Sequence, residues 1–194
     1  LIGKHFFISK KIKSNKNISE ILVIEIDKIF NKAKINIKKL DTMFVITGPG
    51  SFTGIRSALN FAKTIQLTNN TDVRGISKFE YLNLIANDKN LFDLRTILIF
   101  HRKMQFFSQN FKGNLSISEP KIINFEENKR ILNKRTSIIC DNNILVNFVE
   151  KKYFELINQN IHFVDYNNDK LKMLINKKNK LTNDPRPVYI SSNY

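Results

Sequence analysis

Apolar residues near the start of the chain recur with the period of an α-helix. Between residues 19 and 33 they build one helix face, formed by Leu22, Ile26, Ile29, Phe30 and Ala33. Asn17 or Ser19 can cap the start of this helix. Outside that face the helix carries further apolar residues: Ile21, Val23 and Ile24. Because a helix that is apolar on more than one face needs two partners, one of them can be another chain.

The next segment follows the order strand, turn and helix. The apolar run 43–47 contains no charge and predicts a buried strand in parallel pairing. After a glycine-rich turn, a helix is expected at about 54–67, with one apolar stripe made of Ile55, Ala58, Leu59, Ala62 and Ile65. A short strand follows at 73–76. Ser77 and Glu80 then have the spacing of a capping box, which begins a third helix that runs to about Ala86.

The remaining chain also alternates between strand-like and helix-like segments. Strands are expected at 96–100, 104–111, 137–140 and 161–164, and another at 5–12 near the start. Helices are expected at 126–132, 144–157 and 170–175. Pro185 and Pro187 exclude a helix from the tail. This alternation, with one hairpin, is typical of the α/β class.

Composition favours a globular protein of the cytoplasm. A chain of 194 residues, 42% of them hydrophobic, can form one domain or two small lobes with a buried core. Cys140 is the single cysteine, so no disulfide within the chain is possible and a reducing compartment is expected. The sequence contains no apolar run of about 18 residues that would span a membrane, and its start does not resemble a signal peptide.

The net charge of +15 raises the question of nucleic-acid binding. The basic residues stand in short groups at 10–16, 38–39, 130–135 and 177–180, without an alternating pattern of exposed aromatic residues. Dispersed charge of this kind gives weak, salt-sensitive binding to phosphate backbones. Two interpretations stay open, namely dispersed surface charge and an auxiliary patch that faces RNA.

The glycine-rich turn at 48–54 is the most specific motif of the chain. A strand, a glycine-rich turn and a helix N-terminus together can present backbone N–H groups to an anion. The spacing nevertheless fails the P-loop pattern, and Thr53 stands where the dinucleotide fingerprint requires its third glycine. The alternative is a tight turn in which glycine allows positive φ and close packing of helix on strand.

Read as one motif, this segment resembles the signature of the TsaB (YeaZ) family. The matching residues are Gly48, Pro49, Gly50, Ser51, Phe52, Thr53, Gly54, Ile55 and Arg56, followed by Ala58, Leu59, Ala62 and Lys63. The similarity continues at Ser19 with Glu20, at Gly75 with Ser77, and at the terminal run 187–190. The similarity is strong over residues 17–86. Over residues 96–190 it is weaker, although the matching positions occur in the same order.

The resemblance implies an actin-like ASKHA fold with two ribonuclease-H-like lobes, expected here at 1–95 and 96–194. It also implies a non-catalytic partner of the catalytic subunit TsaD that acts with the ATPase TsaE. The complex forms threonylcarbamoyladenosine next to the anticodon of tRNA, so that the chain would meet tRNA indirectly. Family members use their first helices to bind TsaD or, without it, to form a homodimer. The interface residues expected here are Ile21, Ile24, Ala58 and Phe61.

Three departures from the family pattern concern small-molecule chemistry. The first family strand, with its phosphate loop, is missing, so we expect residues upstream of Leu1 to supply it. Ile18 replaces the family histidine before Ser19, and residues 101–103 read His-Arg-Lys where the family has Asp-Ala-Arg. These changes leave a scaffolding role intact.

The sequence contains no recognisable set of catalytic acid, base and nucleophile. His5, His101 and His162 are far apart and form no metal-binding pair, so neither a metal nor a cofactor is expected. Cys140 lies in an apolar strand, which favours a buried thiol, and Ser51 lacks the pattern of a nucleophile elbow. The strand-edge carboxylates can cap turns or hold Mg²⁺, and they are Asp41, Asp141 and Asp165. An ASKHA ATPase or small-molecule kinase, and a TsaD-like catalytic subunit, are the competing hypotheses.

Overall fold

The computed structural model describes residues 1–3, 7–10, 12, 17–86, 91–102, 105–124, 136–141, 161–164, 174–176 and 178–191. Its first elements are α1 (Ile18–Ala33), β1 (Thr42–Ile46), α2 (Phe52–Asn69), β2 (Asp72–Ile76) and α3 (Lys78–Ala86). The strands that follow are β3 (Leu94–Arg102), β4 (Gln105–Lys112), β5 (Leu115–Ser116), β6 (Lys121–Asn124), β7 (Ser137–Asp141) and β8 (Ile161–Val164). The predicted α/β class is confirmed. The predicted helices at 126–132 and 144–157 lie outside the described residues, and of the one at 170–175 only 174 and 175 are described, both helical.

The chain divides into two compact units. The first unit comprises Leu1–Ile76 and Asn168–Pro187, and the second unit comprises Ser77–Asn167 and Val188–Tyr194. The sequence places the boundary between residues 95 and 96, whereas α3 groups with the second unit because it packs against β3 and β7. The tail segment 168–187 returns to the first unit.

The core of the first unit lies between two parallel strands and α2. β1 pairs with β2 from Thr42 opposite Asp72 to Ile46 opposite Ile76, as the apolar run predicts. The apolar stripe of α2 is buried against the strands, in a cluster of Val45, Ile55, Leu59, Ala62 and Val73. The periodicity of 55–65 therefore identifies the core face of α2 correctly.

Helix α1 packs on α2 but remains largely open on its other faces. The side chain of Asn17 caps its start. Of its residues only Phe30 is buried, while Val23 and Ile24 are 57% and 55% exposed. Among the described elements α2 is the main packing partner of α1, so the exposed Val23 and Ile24 are available to a second one.

The second unit is built on one mixed sheet. Its strand order is β5-β4-β3-β7-β8, and β6 also pairs with β4. β3 and β4 form an antiparallel hairpin, whereas β7 and β8 run parallel to β3 and to each other. Helix α3 is buried at Phe79 and from Tyr81 to Ala86, whereas Glu80 is exposed. Its predicted capping box is confirmed, because the N–H of Ser77 donates to Glu80 Oε2 at 3.0 Å and the N–H of Glu80 donates to Ser77 Oγ at 3.1 Å.

The two ends of the chain are less regular. Ile2 and Phe7 form an isolated antiparallel bridge, and part of the strand predicted at 5–12 lies outside the described residues. Residues 185–190 are neither helix nor strand, as the two prolines predict. Within the first unit, Thr182 forms an antiparallel bridge with Gly75, which attaches the tail segment to β2.

Candidate functional site

The glycine-rich turn links β1 to α2 in the first unit. Thr47 ends the strand by donating both its N–H and its hydroxyl to the carbonyl of Ile76, at 3.0 and 3.3 Å. Gly48 follows with φ at 111°, a conformation that residues with a Cβ rarely adopt. The side chain of Ser51 then caps α2, because its Oγ accepts from the N–H of Gly54 at 3.3 Å. The turn therefore uses Gly48 and Ser51 for folding, as the tight-turn interpretation predicts.

The other two glycines of the turn are less constrained. A Cβ on Gly50 would meet only Ile55 Cδ1, at 3.9 Å. A Cβ on Gly54 would lie 3.4 Å from Ser51 Oγ and 3.8 Å from Ile18 Cγ2. The contact with Ile18 shows that the N-termini of α1 and α2 lie side by side. Later in the two helices, Phe30 of α1 and Phe61 of α2 line one hollow. Because both the starts and the later residues of the helices are close together, α1 and α2 run in the same direction.

The arginine of the signature belongs to the exposed side of α2. The guanidinium carbon of Arg56 lies 4.4 Å from the centre of the Phe52 ring. Phe52 is 54% exposed, and Arg56 is exposed as well. This cation–π contact orders two side chains at the surface. Arg56 is thus the residue of the signature that lies on the exposed side of α2.

The expected interface residues divide between this outer surface and the core. Ile24 is exposed, Ile21 is half-buried, and Phe61 is half-buried where it lines the hollow of about 310 Å³ between α1 and α2. Ala58 packs against the core cluster. Val23, which lines the same hollow, was not among the expected contacts, although its position beside Ile24 on an apolar helix could have indicated it. We define the helix-pair surface as Val23, Ile24 and Phe61.

Three candidate side chains of the second unit are Asp141, Cys140 and His101, and each has a structural environment. Asp141, whose side chain is only 2% exposed, forms an ion pair with Lys78 at 2.7 Å. Cys140 is fully buried, and burial, with the nearby Asp141 charge, raises the pKa of its thiol. His101 stacks on Phe107, with ring centres 4.4 Å apart, and desolvation followed by the charge of Arg102 lowers its pKa.

Metal-binding side chains do not gather in the part of the chain that the structure covers. No group of three or more His, Cys, Asp or Glu residues there could hold a metal ion. Asp41 is exposed, and His162 lies in β8. His5 and Asp165, also named as candidates, fall outside the described residues. None of the described helices is long and apolar enough to cross a membrane.

Comparison with known proteins gives one family match and similar folds. Residues 9–98 match the family TsaD, described as tRNA N6-adenosine threonylcarbamoyltransferase. No curated protein gives a significant match. The fold is similar to that of YeaZ from Pseudomonas aeruginosa, with a TM-score of 0.61 at 14% identity over 89% of this chain and 85% of that chain. A second structure, an uncharacterized protein with similarity to peptidase YeaZ from Pseudomonas aeruginosa, gives a TM-score of 0.60 at 14% identity over 89% and 83%.

These findings bear on the resemblance drawn from the glycine-rich signature. The family match covers α1, the signature and α3, which is the region where the sequence resemblance is strongest. The structural likeness extends over most of the chain and establishes the fold. The predicted α/β fold is therefore similar to that of YeaZ, and the TsaD family match lies over the segment from which the resemblance was drawn.

Proposed function

We infer that this chain, with a TsaD-type sequence segment in the fold of YeaZ, is an accessory subunit of the machinery that forms threonylcarbamoyladenosine on tRNA. In this proposal it is not itself the transferase. It binds a TsaD-type catalytic subunit in the cytoplasm, and a TsaE-type ATPase acts with the pair. Without TsaD, two copies of the chain use the same surface to form a homodimer.

The helix-pair surface is the observation that carries this proposal. Val23 and Ile24 are neighbours on α1 and are both more than half exposed. Val23 and Phe61 line an open hollow together with Ile26 and Phe30, and the polar residues of its lining are Asp27, Asn31 and Asn36. Apolar side chains around a concavity are typical of the centre of a protein–protein interface, where a few anchors supply most of the binding energy. A partner that fills the hollow would supply the second apolar contact that α1 requires.

The accessory role is supported by the contacts of the reactive side chains. The hydroxyl of Ser51 serves as a helix cap, and the thiol of Cys140 is enclosed. Lys78 holds the carboxylate of Asp141. The Cys140 thiol and the Asp141 carboxylate are thus buried, whereas the Ser51 hydroxyl lies at the surface, where it caps α2. The word peptidase in the description of the second similar structure applies to that protein alone.

Reconstitution with purified TsaD and TsaE tests the proposal. We expect threonylcarbamoyladenosine to form on tRNA only when the chain is added to the other two proteins. We also expect the chain alone to hydrolyse ATP no faster than a buffer control. Rapid hydrolysis by the chain alone would favour the ASKHA ATPase instead, and transfer by the chain without TsaD would favour a catalytic subunit. Equal transfer with and without the chain would contradict the accessory role.

A further inference from the structure

We propose that four lysines at the end of α1 bind the phosphate backbone of tRNA. This lysine cluster consists of Lys32, Lys34, Lys38 and Lys39. The identity of the RNA as tRNA rests on the proposed function, while the binding surface rests on the structure. The sequence alone separates Lys38 and Lys39 from the other basic groups and does not connect them with Lys32 and Lys34.

The backbone joins these lysines in one compact turn. At the end of α1 the N–H of Lys34 donates to Asn31 O at 3.0 Å, and the N–H of Ile35 donates to Phe30 O at 3.2 Å. Asn36 then caps a single 3-10 turn over Ile37–Lys39. All four lysines are exposed, whereas Ile35, Ile37 and Leu40 between and beside them are half-buried. The apolar residues therefore attach the turn to the protein and leave the ammonium groups in solvent.

Polar contacts hold this turn against the end of α2. The hydroxyl of Thr71 donates to the carbonyl of Leu40 at 2.9 Å, and the side-chain amide of Asn69 donates to the carbonyl of Ile37 at 3.5 Å. Both contacts join segments about thirty residues apart in sequence, with separations of 31 and 32. A charged surface on a fixed backbone loses less conformational freedom on binding than one on a flexible segment.

The ion pairs in the described part of the first unit involve basic residues outside the lysine cluster. There, Glu25 pairs with Lys10 and Lys28, and Asp72 pairs with Arg74 and Lys178. The described ion pairs include none of the four cluster lysines. Their mutual repulsion would be relieved by a polyanion, whose bound counterions are released at the same time.

Lys34 adds a backbone observation to this argument. It adopts φ 55° and ψ 38°, the left-handed conformation that favours glycine or asparagine at the end of a helix. This conformation ends α1 and leads the chain into the 3-10 turn that carries Lys38 and Lys39.

Lysine also favours nucleic acid over protein as the partner. Lysine is depleted in protein–protein interfaces, whereas its compact ammonium charge suits phosphate groups. The helix-pair surface, by contrast, is apolar at Val23, Ile24 and Phe61. The first unit thus presents one apolar surface suited to protein and one basic surface suited to RNA.

The test compares two variants of the full chain that each lose four positive charges. The cluster variant carries Lys32→Gln, Lys34→Gln, Lys38→Gln and Lys39→Gln. The control variant carries Lys63→Gln, Lys112→Gln, Lys121→Gln and Lys180→Gln, at lysines that are also exposed and belong to no described ion pair. Binding of each chain to a tRNA transcript is measured by fluorescence anisotropy from about 50 to about 200 mM salt, and thermal melts verify folding. The double variant Lys38→Gln, Lys39→Gln serves if the cluster variant does not fold.

We expect the cluster variant to bind tRNA about tenfold more weakly than the control variant at low salt. Its slope of log K against log salt should decrease by about 0.7 to 0.9 for each lysine that neutralises a phosphate. Equal losses in both variants would overturn the proposal and leave dispersed charge as the explanation. Unchanged tRNA binding with loss of TsaD or TsaE binding would also overturn it, in favour of an acidic protein partner. Because tRNA binding is measured on the chain alone, its outcome is independent of whether the helix-pair surface binds TsaD.

Discussion

Gly75 and Pro185 approach each other too closely for any other residue at position 75. A Cβ built on Gly75 would lie 2.6 Å from Pro185 Cβ and 3.1 Å from Pro185 Cα. Beside this contact, the N–H of Gly75 donates to the carbonyl of Thr182 at 2.9 Å. Further along the tail, Lys178 donates to Thr42 Oγ1 at 2.8 Å and pairs with Asp72 at 2.7 Å. The tail segment is therefore attached to both parallel strands of the first unit.

Replacing Gly75 with alanine should destabilise the first unit. The new methyl group would overlap Cβ of Pro185, and relieving such overlap in a packed site costs about 1–3 kcal/mol. Urea denaturation measures the free energy of unfolding. The matched control is Gly50→Ala, because a Cβ at that position would meet nothing closer than 3.9 Å. If Gly75→Ala and Gly50→Ala had the same free energy of unfolding, the tail segment would shift easily to make room for the methyl group.

The ion pairs of Asp72 predict a dependence of stability on acid. The hydrogen bond from Lys178, and after it that from Arg74, lowers the pKa of Asp72 although partial burial opposes the shift. A lowered pKa in the folded state contributes stability above the unfolded pKa of about 3.9, and this stability is lost as pH falls through the folded value. Asp72→Asn should therefore lower the melting temperature at neutral pH, and the difference from the original chain should shrink below about pH 4. Asp184→Asn, whose partner Arg186 is exposed, should have little effect at either pH.

Ile24→Asp should abolish binding to TsaD without unfolding the chain. Ile24 is 55% exposed, so a charge there costs little in the free subunit but would be buried without a partner in the complex. Adding Phe61→Glu should remove any remaining binding, at some cost in stability because Phe61 is half-buried. Pull-down assays and thermal melts measure the two effects.

The control for this surface is Ile117→Asp. Ile117 lies in the second unit and is 54% exposed, so it matches Ile24 in residue type and exposure. This variant should bind TsaD normally. Undiminished binding by Ile24→Asp would place the interface elsewhere, while loss of its melting transition would show that Ile24 belongs to the core.

Ser51→Ala tests the structural role of the signature serine. The loss of the cap on α2 should cost about 1 kcal/mol, measured by chemical denaturation. Ser51→Asp restores a capping oxygen and should recover most of this loss. If Ser51 were a nucleophile, both variants would abolish tRNA modification in the reconstituted system; we expect both to retain it.

Cys140 should be inert in the folded protein. It is fully buried, and burial favours the neutral thiol, which is a poor nucleophile. In Ellman's assay we expect labelling at the rate of global unfolding under native conditions, and of one thiol per chain in denaturant. Rapid labelling that does not change when the chain is stabilised would mean that β7 opens locally.

Local sequence patterns predicted most of the described elements of the fold. The stripe of α2, the capping box of Ser77 and Glu80, and the apolar run of β1 each depend on residues within a few positions of one another. The attachment of the tail depends on residues far apart, since Lys178 and Thr42 are separated by 136 positions. Local periodicity does not encode contacts over such a distance. The sequence of residues 178–185 therefore did not predict that this segment packs on the first unit.

The residues of the candidate site were predictable from the sequence to about the same extent as the elements of the fold. Exposure of Ile24 followed from its place outside the apolar face of α1, and the need for glycine at position 48 followed from the turn. Ala58, which stays a predicted interface residue, is half-buried and also packs against the core cluster. The lysine cluster required the structure, since the chain reversal after Lys34 brings its two pairs together.

The attachment of the tail segment also sets the order in which the protein can mature during translation. Residues 1–76 leave the ribosome well before 178–187, so the nascent first unit spends most of synthesis without the chain segment that covers β2. Asp72 and Arg74 then face solvent without Lys178 and the carbonyl of Leu181. A chain that ended before residue 178 would lack these contacts to β2. The first unit can therefore be completed only after translation has passed Pro187.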